Sequence, residues 1–340
     1  MSLDIDGKTI LVTGGTGSFG QCFVETVLVR HNPHKVIVFS RDELKQFEMR
    51  HKDVFKDDDR LRFFIGDVRS VERLEMAFRS VDLVVHAAAL KQISVAEYNP
   101  FECIQTNVHG AENVVTAAIR TGVNRVMALS TDKAANPINL YGASKLASDK
   151  IFVAAKHLVG KGDPLFGVAR YGNVIGSRGS VVPHFRQLID GGARKLPITD
   201  LRMTRFWLTL QQGVEFVLSC FEMMQGGEIF VPKIPSMKVM DLAKTMSSDV
   251  ELHEVGIRPG EKLHEVMITE DDARSTVELP DRFIIRPTIY GEHRLYDQGE
   301  RPVAEGFRYS SDNNDTWLSP ADLSRVLMDL ATPTQTTTAE

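Results

Sequence analysis

The sequence predicts an α/β protein in which a doubly wound parallel sheet is followed by a smaller C-terminal lobe. Three observations predict it. Strand-length apolar runs alternate with helical patterns through the first half, as in parallel strands buried on both faces and joined by helices. A glycine-rich turn follows the first of those runs, where a sheet of this kind binds a nucleotide. Beyond residue 175, Pro183, Pro197, Pro232, Pro235, Pro259, Pro280 and Pro287 break the pattern, which suits a lobe of short helices and hairpins that covers a ligand.

Thr9-Ile10-Leu11-Val12 reads as the first strand, and Thr13-Gly14-Gly15-Thr16-Gly17-Ser18-Phe19-Gly20 then opens a helix. Gly14, Gly17 and Gly20 have G-x-x-G-x-x-G spacing, and Gly15, Gly17 and Gly20 also satisfy G-x-G-x-x-G. Such glycines permit the tight turn and let a pyrophosphate approach the backbone and the helix N-terminus, with Thr16, Ser18 and Phe19 in the same contact. The sheet is therefore expected to be Rossmann-like. The second strand, Lys35-Val36-Ile37-Val38-Phe39, ends in Ser40-Arg41-Asp42, then Glu43, Leu44 and Lys45. NAD sites place an acid here for the ribose 2′-hydroxyl, and Ser40 stands in its place. Arg41 and Lys45 can reach a 2′-phosphate, which points to NADP. The alternative makes both cations solvated helix-start charges and gives Asp42 the NAD role.

The third strand, Leu61-Arg62-Phe63-Phe64-Ile65, leads into Gly66-Asp67-Val68, placed for the adenine edge. The fourth, Leu83-Val84-Val85-His86, leads into the small residues Ala87, Ala88 and Ala89, where the cofactor passes. The fifth, Arg125 to Leu129, runs through Ser130-Thr131-Asp132-Lys133 and a proline-containing loop into a helix that bears Tyr141 and Lys145. Four residues apart on a helix, these two side chains share a face. An ammonium beside a phenol stabilises the phenolate, so Tyr141 with Lys145 can act as a base near neutral pH. Asp132 and Lys133 add a second acid/base pair, which water elimination needs and a simple alcohol dehydrogenase does not. Their bland reading is a loop ion pair. Phe166-Gly167-Val168-Ala169 reads as a sixth strand, and Glu228-Ile229-Phe230-Val231 as a late strand that returns to the sheet. The expected domains are 1–174 and 175–330, with a disordered Thr-rich tail over 331–340.

The 340 residues, 43% apolar and 25% charged, describe an ordinary globular protein. A formal net charge of −5 argues against nucleic acid as a partner. Cys22, Cys103 and Cys220 lack metal-ligand spacing and read as buried thiols, and His86, His184 and His264 read as structural, so no metal is expected. Asp4 and Asp6 precede the first apolar run and no stretch is long enough to span a membrane, so no signal peptide, no membrane partner and a cytoplasmic setting are expected.

Together the glycine motif, Gly66-Asp67, His86-Ala87-Ala88-Ala89, Asn107 and Tyr141-x-x-x-Lys145 resemble the extended short-chain dehydrogenase/reductase superfamily, over nearly the whole chain. Nucleotide-sugar 4,6-dehydratases of that superfamily carry Thr-Asp-Glu at the end of the fifth strand. Thr131-Asp132-Lys133, with its Lys and short gap to Tyr141, resembles the inverting UDP-N-acetylglucosamine 4,6-dehydratases, which initiate pseudaminic acid synthesis. Ser40 to Gln46, Ala89-Leu90-Lys91, Arg170 to Val174, Met203 to Trp207 and Arg258 to Lys262 are similar to the same group. A sister group similar over these stretches lacks the Tyr.

The resemblance implies that Tyr141, assisted by Lys145, takes the 4-hydroxyl proton as hydride leaves C4 for NADP. Lys133 then removes the C5 proton, Asp132 protonates the departing 6-hydroxyl, and hydride returns to C6 as C5 is reprotonated. Thr131 hydrogen-bonds the 4-hydroxyl. Lys91, which also borders the cofactor, Asn173, Arg205, Arg258 and Glu261 match the group's motifs for a UDP-sugar, with Thr199 added to them. A homo-oligomer, a hexamer, is implied too. A 4-epimerase or reductase on the same scaffold would use Tyr141 and Lys145 without needing Asp132 and Lys133. A non-catalytic NADP-binding protein would need neither pair.

Overall fold

The computed structural model describes residues 5–159, 164–177, 179–288, 296 and 299–331. The chain divides into two compact units, one of Met1–Tyr171, Leu210–Lys233 and Val266–Arg308, the other of Gly172–Thr209, Ile234–Glu265 and Tyr309–Glu340. The sequence reading instead has one boundary at 174/175 and returns 228–231 alone to the sheet. The difference is physical. The helix Leu210–Met223 packs on the first helix of the chain, where Thr26 Oγ1 donates to Gln211 Oε1 (3.1 Å) and Arg30 pairs with Glu215 (2.8 Å). The strands Thr276–Glu278 and Arg282–Ile285 are three and four residues long, too short to show a period.

The first unit begins with β1 (Thr9–Thr13), α1 (Ser18–Arg30), β2 (Lys35–Ser40), α2 (Glu43–Arg50), β3 (Leu61–Ile65), α3 (Val71–Ala77), β4 (Leu83–His86), α4 (Ile93–Tyr98), α5 (Pro100–Ile104), α6 (Gly110–Thr121), β5 (Arg125–Thr131), α7 (Leu140–Ala155) and β6 (Leu165–Tyr171). Across the sheet the order is β3, β2, β1, β4, β5, β6, all parallel, and Glu228–Pro232 adds a further parallel strand beside β6. Arg282–Ile285, Thr276–Glu278 and Arg301–Pro302 extend it antiparallel. The unbroken apolar runs of β1, β2 and β4 are buried almost throughout because helices cover both faces. β3, at the edge, leaves Ile65 exposed. The strand order reverses between β1 and β4, and it is outside the carboxyl ends of the strands at such a point that open sheets of this kind bind ligands.

In the second unit Asn173–Val174, Thr204–Leu208 and Ser236–Lys238 make one small sheet, and Lys195–Ile198 pairs with Glu251–Glu254 in another. Ile175, Phe185, Leu196, Trp207, Met237 and Leu242 anchor its apolar core. Of the tail read as disordered, Ala331 ends the helix Pro320–Ala331 and 332–340 lie outside the described residues.

Candidate active site

The turn after β1 packs its backbone tightly against the loop after β4. Gly14 has φ 65°, and a Cβ there would come within 2.9 Å of the Ala88 backbone. The turn thus lies on the loop after β4. The Ala87 amide donates to the Thr13 carbonyl (3.2 Å), and the Ala88 amide to Thr13 Oγ1 (3.3 Å). Gly17, at the N-cap of α1, offers no side-chain acceptor to the first-turn amides, which is how a helix end receives a phosphate. Ser18, Phe19 and Gly20 open the helix, and the Phe19 ring stacks on Phe23 (6.0 Å) and on Tyr171 at the end of β6 (6.4 Å).

At the end of β2, Ser40 and Thr16 are both buried with their hydroxyl oxygens 3.0 Å apart. Asp42 is occupied locally. It caps α2 by accepting from the Lys45 amide (3.0 Å), and it pairs with Lys45 Nζ (2.8 Å). Arg41, half exposed, stands 3.6 Å from Asp67. Burial raises the Asp67 carboxyl, but hydrogen bonds from Arg69 and the charges of Arg41 and Arg69 outweigh it and hold it below its ordinary value. Val68 is buried beside it, and Lys91 is exposed after β4.

β5 ends in a short 3-10 turn, Asp132–Ala134. Thr131 Oγ1 donates to Asp132 Oδ1 (2.8 Å), and Lys133 Nζ donates to the same oxygen (3.0 Å). The Asp132 side chain is 0% exposed and that of Lys133 19%, so the pair is shielded from water. Asn139 then caps α7, accepting from the Gly142 amide (2.7 Å). A Cβ on Gly142 would overlap the Lys133 carbonyl oxygen. Only glycine lets the turn lie on the helix, which places Asp132 and Lys133 beside Tyr141.

Tyr141 departs from the sequence reading, in which Lys145 brings it near neutrality. Burial pushes the phenol up to about 12, Asp132 and Asp149 add to the rise, and the Lys133 charge and a hydrogen bond with Thr131 oppose it. The cation that acts on Tyr141 is Lys133. Lys145 is 4% exposed; burial lowers its ammonium below its ordinary value and Asp149, one helical turn on, opposes that.

Asn107 lies in a π-helical turn, Gln105–His109, between α5 and α6. Its amide nitrogen donates to the Leu90 carbonyl (2.9 Å) and to Ser144 Oγ (2.9 Å), and its oxygen accepts from the Leu90 amide (2.8 Å). It ties the loop after β4 to α7. Sequence reasoning missed the parts of Asn139 and Gly142. Asn at a helix start was the available signal for the first; the second had none.

In the second unit, Asn173 sits opposite Trp207 in register, with its Oδ1 buried and lacking a hydrogen-bond partner. Thr199 is half-buried before the Asp200 turn. Arg258 is exposed, and Glu261, whose amide donates to the Arg258 carbonyl (3.0 Å), has Oε2 buried without a partner. Arg205 is committed to its own unit. It donates to the Thr204, Lys262 and Leu263 carbonyls (2.7, 3.0 and 3.1 Å) and faces Glu265 at 3.8 Å. Among the described residues no group of three or more His, Cys, Asp or Glu could hold a metal ion, and no helix is long and apolar enough to cross a membrane.

Residues 10–287 match the model of the family described as polysaccharide biosynthesis protein. The chain is 55% identical to the UDP-N-acetylglucosamine 4,6-dehydratase (inverting) of Campylobacter jejuni subsp. jejuni serotype O:2, over 94% of this chain and 97% of that one. The X-ray structure of Pen from Bacillus thuringiensis superposes with a TM-score of 0.88 at 35% identity, covering 96% of this chain and 99% of that one. DesIV, a dTDP-glucose 4,6-dehydratase from Streptomyces venezuelae with NAD and TYD bound, superposes with a TM-score of 0.65 at 25% identity, covering 75% of this chain and 86% of that one.

His86 generates a test of the site's electrostatics. Its Nδ1 lies 2.8 Å from Thr13 Oγ1, and burial, then the Lys145 charge, pushes the imidazole down to about 3. Below about pH 6.5 the unfolded chain takes up a proton that the fold refuses, so stability falls with falling pH until about pH 3, by up to about 1.4 kcal/mol per pH unit from this group. His86→Gln is expected to flatten that slope in urea denaturation between about pH 6 and pH 4. An unchanged slope would mean that His86 is charged in the fold.

Proposed function

The chain belongs to the polysaccharide biosynthesis protein family and, within the extended short-chain dehydrogenase/reductases, to the inverting UDP-N-acetylglucosamine 4,6-dehydratases, and we propose that it eliminates water from UDP-N-acetylglucosamine with inversion at C5. The product would be UDP-2-acetamido-2,6-dideoxy-β-L-arabino-hex-4-ulose. The observation that carries this reading is the shielded Asp132–Lys133 pair beside Tyr141. Tyr141 and Lys145 suffice to oxidise an alcohol; elimination needs a further acid and a further base.

Tyr141 takes the 4-hydroxyl proton, and Thr131 hydrogen-bonds that hydroxyl. Lys133 takes the C5 proton, made acidic by the new 4-keto group, while Asp132 delivers a proton to the departing 6-hydroxyl. One proton move prepares both groups. Passing a proton from Lys133 Nζ to Asp132 Oδ1, 3.0 Å away, turns the ion pair into an amine and a carboxylic acid. Burial favours those neutral forms. A bound nicotinamide supplies a hydride acceptor that gives back what it takes.

The cradle of Gly14, Thr16, Gly17, Ser18, Phe19 and Gly20 with Ala87 and Ala88 fits a nicotinamide dinucleotide on steric grounds. NADP is favoured because Ser40 replaces the ribose-binding acid and Asp42 is spent on capping α2; Arg41 and Lys45, which here face Asp67 and Asp42, would turn to a 2′-phosphate. Asp67 and Val68 would border the adenine. Lys91, Asn173, Thr199, Arg258 and Glu261 are assigned to the UDP-sugar; Arg205 is assigned to hold the 258–263 segment through the Lys262 and Leu263 carbonyls. A cytoplasmic homo-oligomer, a hexamer, at the start of pseudaminic acid synthesis completes the reading.

Incubation with UDP-N-acetylglucosamine is expected to give a product lighter by one water, and substrate deuterated at C4 should carry its label into the C6 methyl group. Label lost to solvent would overturn the internal hydride transfer, and an unchanged mass would indicate an epimerase. Arg41→Ala is expected to weaken NADP binding about tenfold and leave NAD within about twofold, by calorimetry; equal losses would remove Arg41 from the 2′-phosphate. Lys133→Ala should keep NADP affinity and lose both dehydration and C5–H exchange in deuterium oxide. Exchange at the wild-type rate without water loss would make Lys133 the acid.

A further inference from the structure

Beneath the candidate catalytic residues lies a buried ionic network that no step above uses. Tyr141, Lys145 and Asp149 fall at i, i+4 and i+8, so α7 presents them along one face. Asp149 Oδ2 accepts from Ser130 Oγ (2.8 Å) and from Arg170 Nη2 (3.1 Å). Ser130 immediately precedes Thr131 in β5, and Arg170 stands directly across from it on β6. One carboxylate oxygen therefore joins α7, β5 and β6 where each meets the site. Arg170 reaches further, donating Nη1 to the Met267 carbonyl (3.0 Å) and standing 3.7 Å from Asp272. Met267 lies in the strand Val266–Ile268, which packs on the Asp132–Ala134 turn.

Stability alone does not account for this arrangement. The Asp149 and Arg170 side chains are 1% and 2% exposed, and desolvating such a pair commonly costs as much as its attraction returns. We propose that Asp149 is a positioning residue for the reaction: its carboxylate, clamped by Ser130 and Arg170, sets the α7 face bearing Tyr141 and Lys145 against the strand end bearing Thr131, Asp132 and Lys133, and places a negative charge one helical turn from Lys145. The surroundings of Lys145 agree. His86 on β4 is neutral, and Asp149 is the anion that raises it. Asp132 and Lys133 act on Tyr141 from the β5 turn, Asp149 does so from α7, and Tyr171 on β6 lies close enough to be coupled to it.

The assignment rests on the dehydratase reading, so the test includes a measurement that needs no turnover. Asp149→Asn keeps the shape and removes the charge. With [13Cε]lysine labelling, and Lys145→Met to identify the signal, NMR titration should show Lys145 losing its proton about one pH unit or more lower in Asp149→Asn than in the wild type. In turnover, kcat should fall about tenfold, KM for UDP-N-acetylglucosamine should stay within about twofold, and the alkaline limb of the kcat profile should move to lower pH. An unmoved Lys145 titration, or a loss of melting temperature with the wild-type pH profile, would overturn the proposal. If Asp149→Asn does not fold, Ser130→Ala decides, since it leaves the ion pair and removes one clamp. A several-fold loss of kcat at unchanged KM supports the role, and wild-type kcat refutes it. A wild type that does not dehydrate the sugar refutes the function and leaves the Lys145 titration to judge Asp149.

Discussion

The backbone of Lys133 lies against the first turn of α7, and the candidate site in the first unit follows from that contact. Gly142 permits it, because a Cβ there would overlap the Lys133 carbonyl oxygen. Asn139 fixes where the helix begins by capping the Gly142 amide. With the helix start and the strand end locked together, Tyr141 falls beside Thr131, Asp132 and Lys133. Lys145 and Asp149 then follow at one-turn intervals along the same face. The Asn107 amide ties the loop after β4 to Ser144 on the same helix. The candidate acid/base groups and the loop after β4 are thus referred to one rigid element.

Burial gives the site its chemistry. Asp132, Lys145, Asp149 and Arg170 are all less than 5% exposed, and water therefore does little to screen their charges. Each charge has a partner or an offsetting neighbour, without which it would shift its pKa and neutralise. His86 takes that second course and stays neutral. Tyr141 is held up as a phenol, so a base at that position must draw on charge brought close to it. The same burial makes the Asp132–Lys133 pair responsive to a single proton transfer.

How much could be read from the chain follows from the range of each interaction. The strands β1 to β6, the glycine turn, the shared helix face of Tyr141 and Lys145 and the Asp132–Lys133 ion pair were legible because each is a local pattern, a run of buried positions or a fixed spacing within one turn or helix. The place of Ser40 at the end of β2 was legible for the same reason, because the apolar run sets where the strand ends, whereas its burial against Thr16 was not. Of the segments that return to the first unit, the strand over 228–231 was legible as an apolar run, but the helix Leu210–Met223 and the segment 266–308 were not, because short strands and an ordinary apolar helix carry no mark of the sheet they join.

Arg205 shows the limit most clearly. Its motif marks a cation, but whether that cation meets a ligand or backbone carbonyls depends on Lys262 and Leu263, more than fifty residues away in the chain. The succession of the first six strands along the chain, the glycine turn after β1 and the spacing of Tyr141 and Lys145 and of Asp132 and Lys133 were therefore determined by the sequence alone. The tertiary structure alone decided which charges are buried together across elements: Lys133 acting on Tyr141, and Arg170 clamping Asp149. The physical reason is that a pKa and a buried ion pair are set by neighbours in space, and those neighbours come from strands and helices that the chain's local pattern does not bring together.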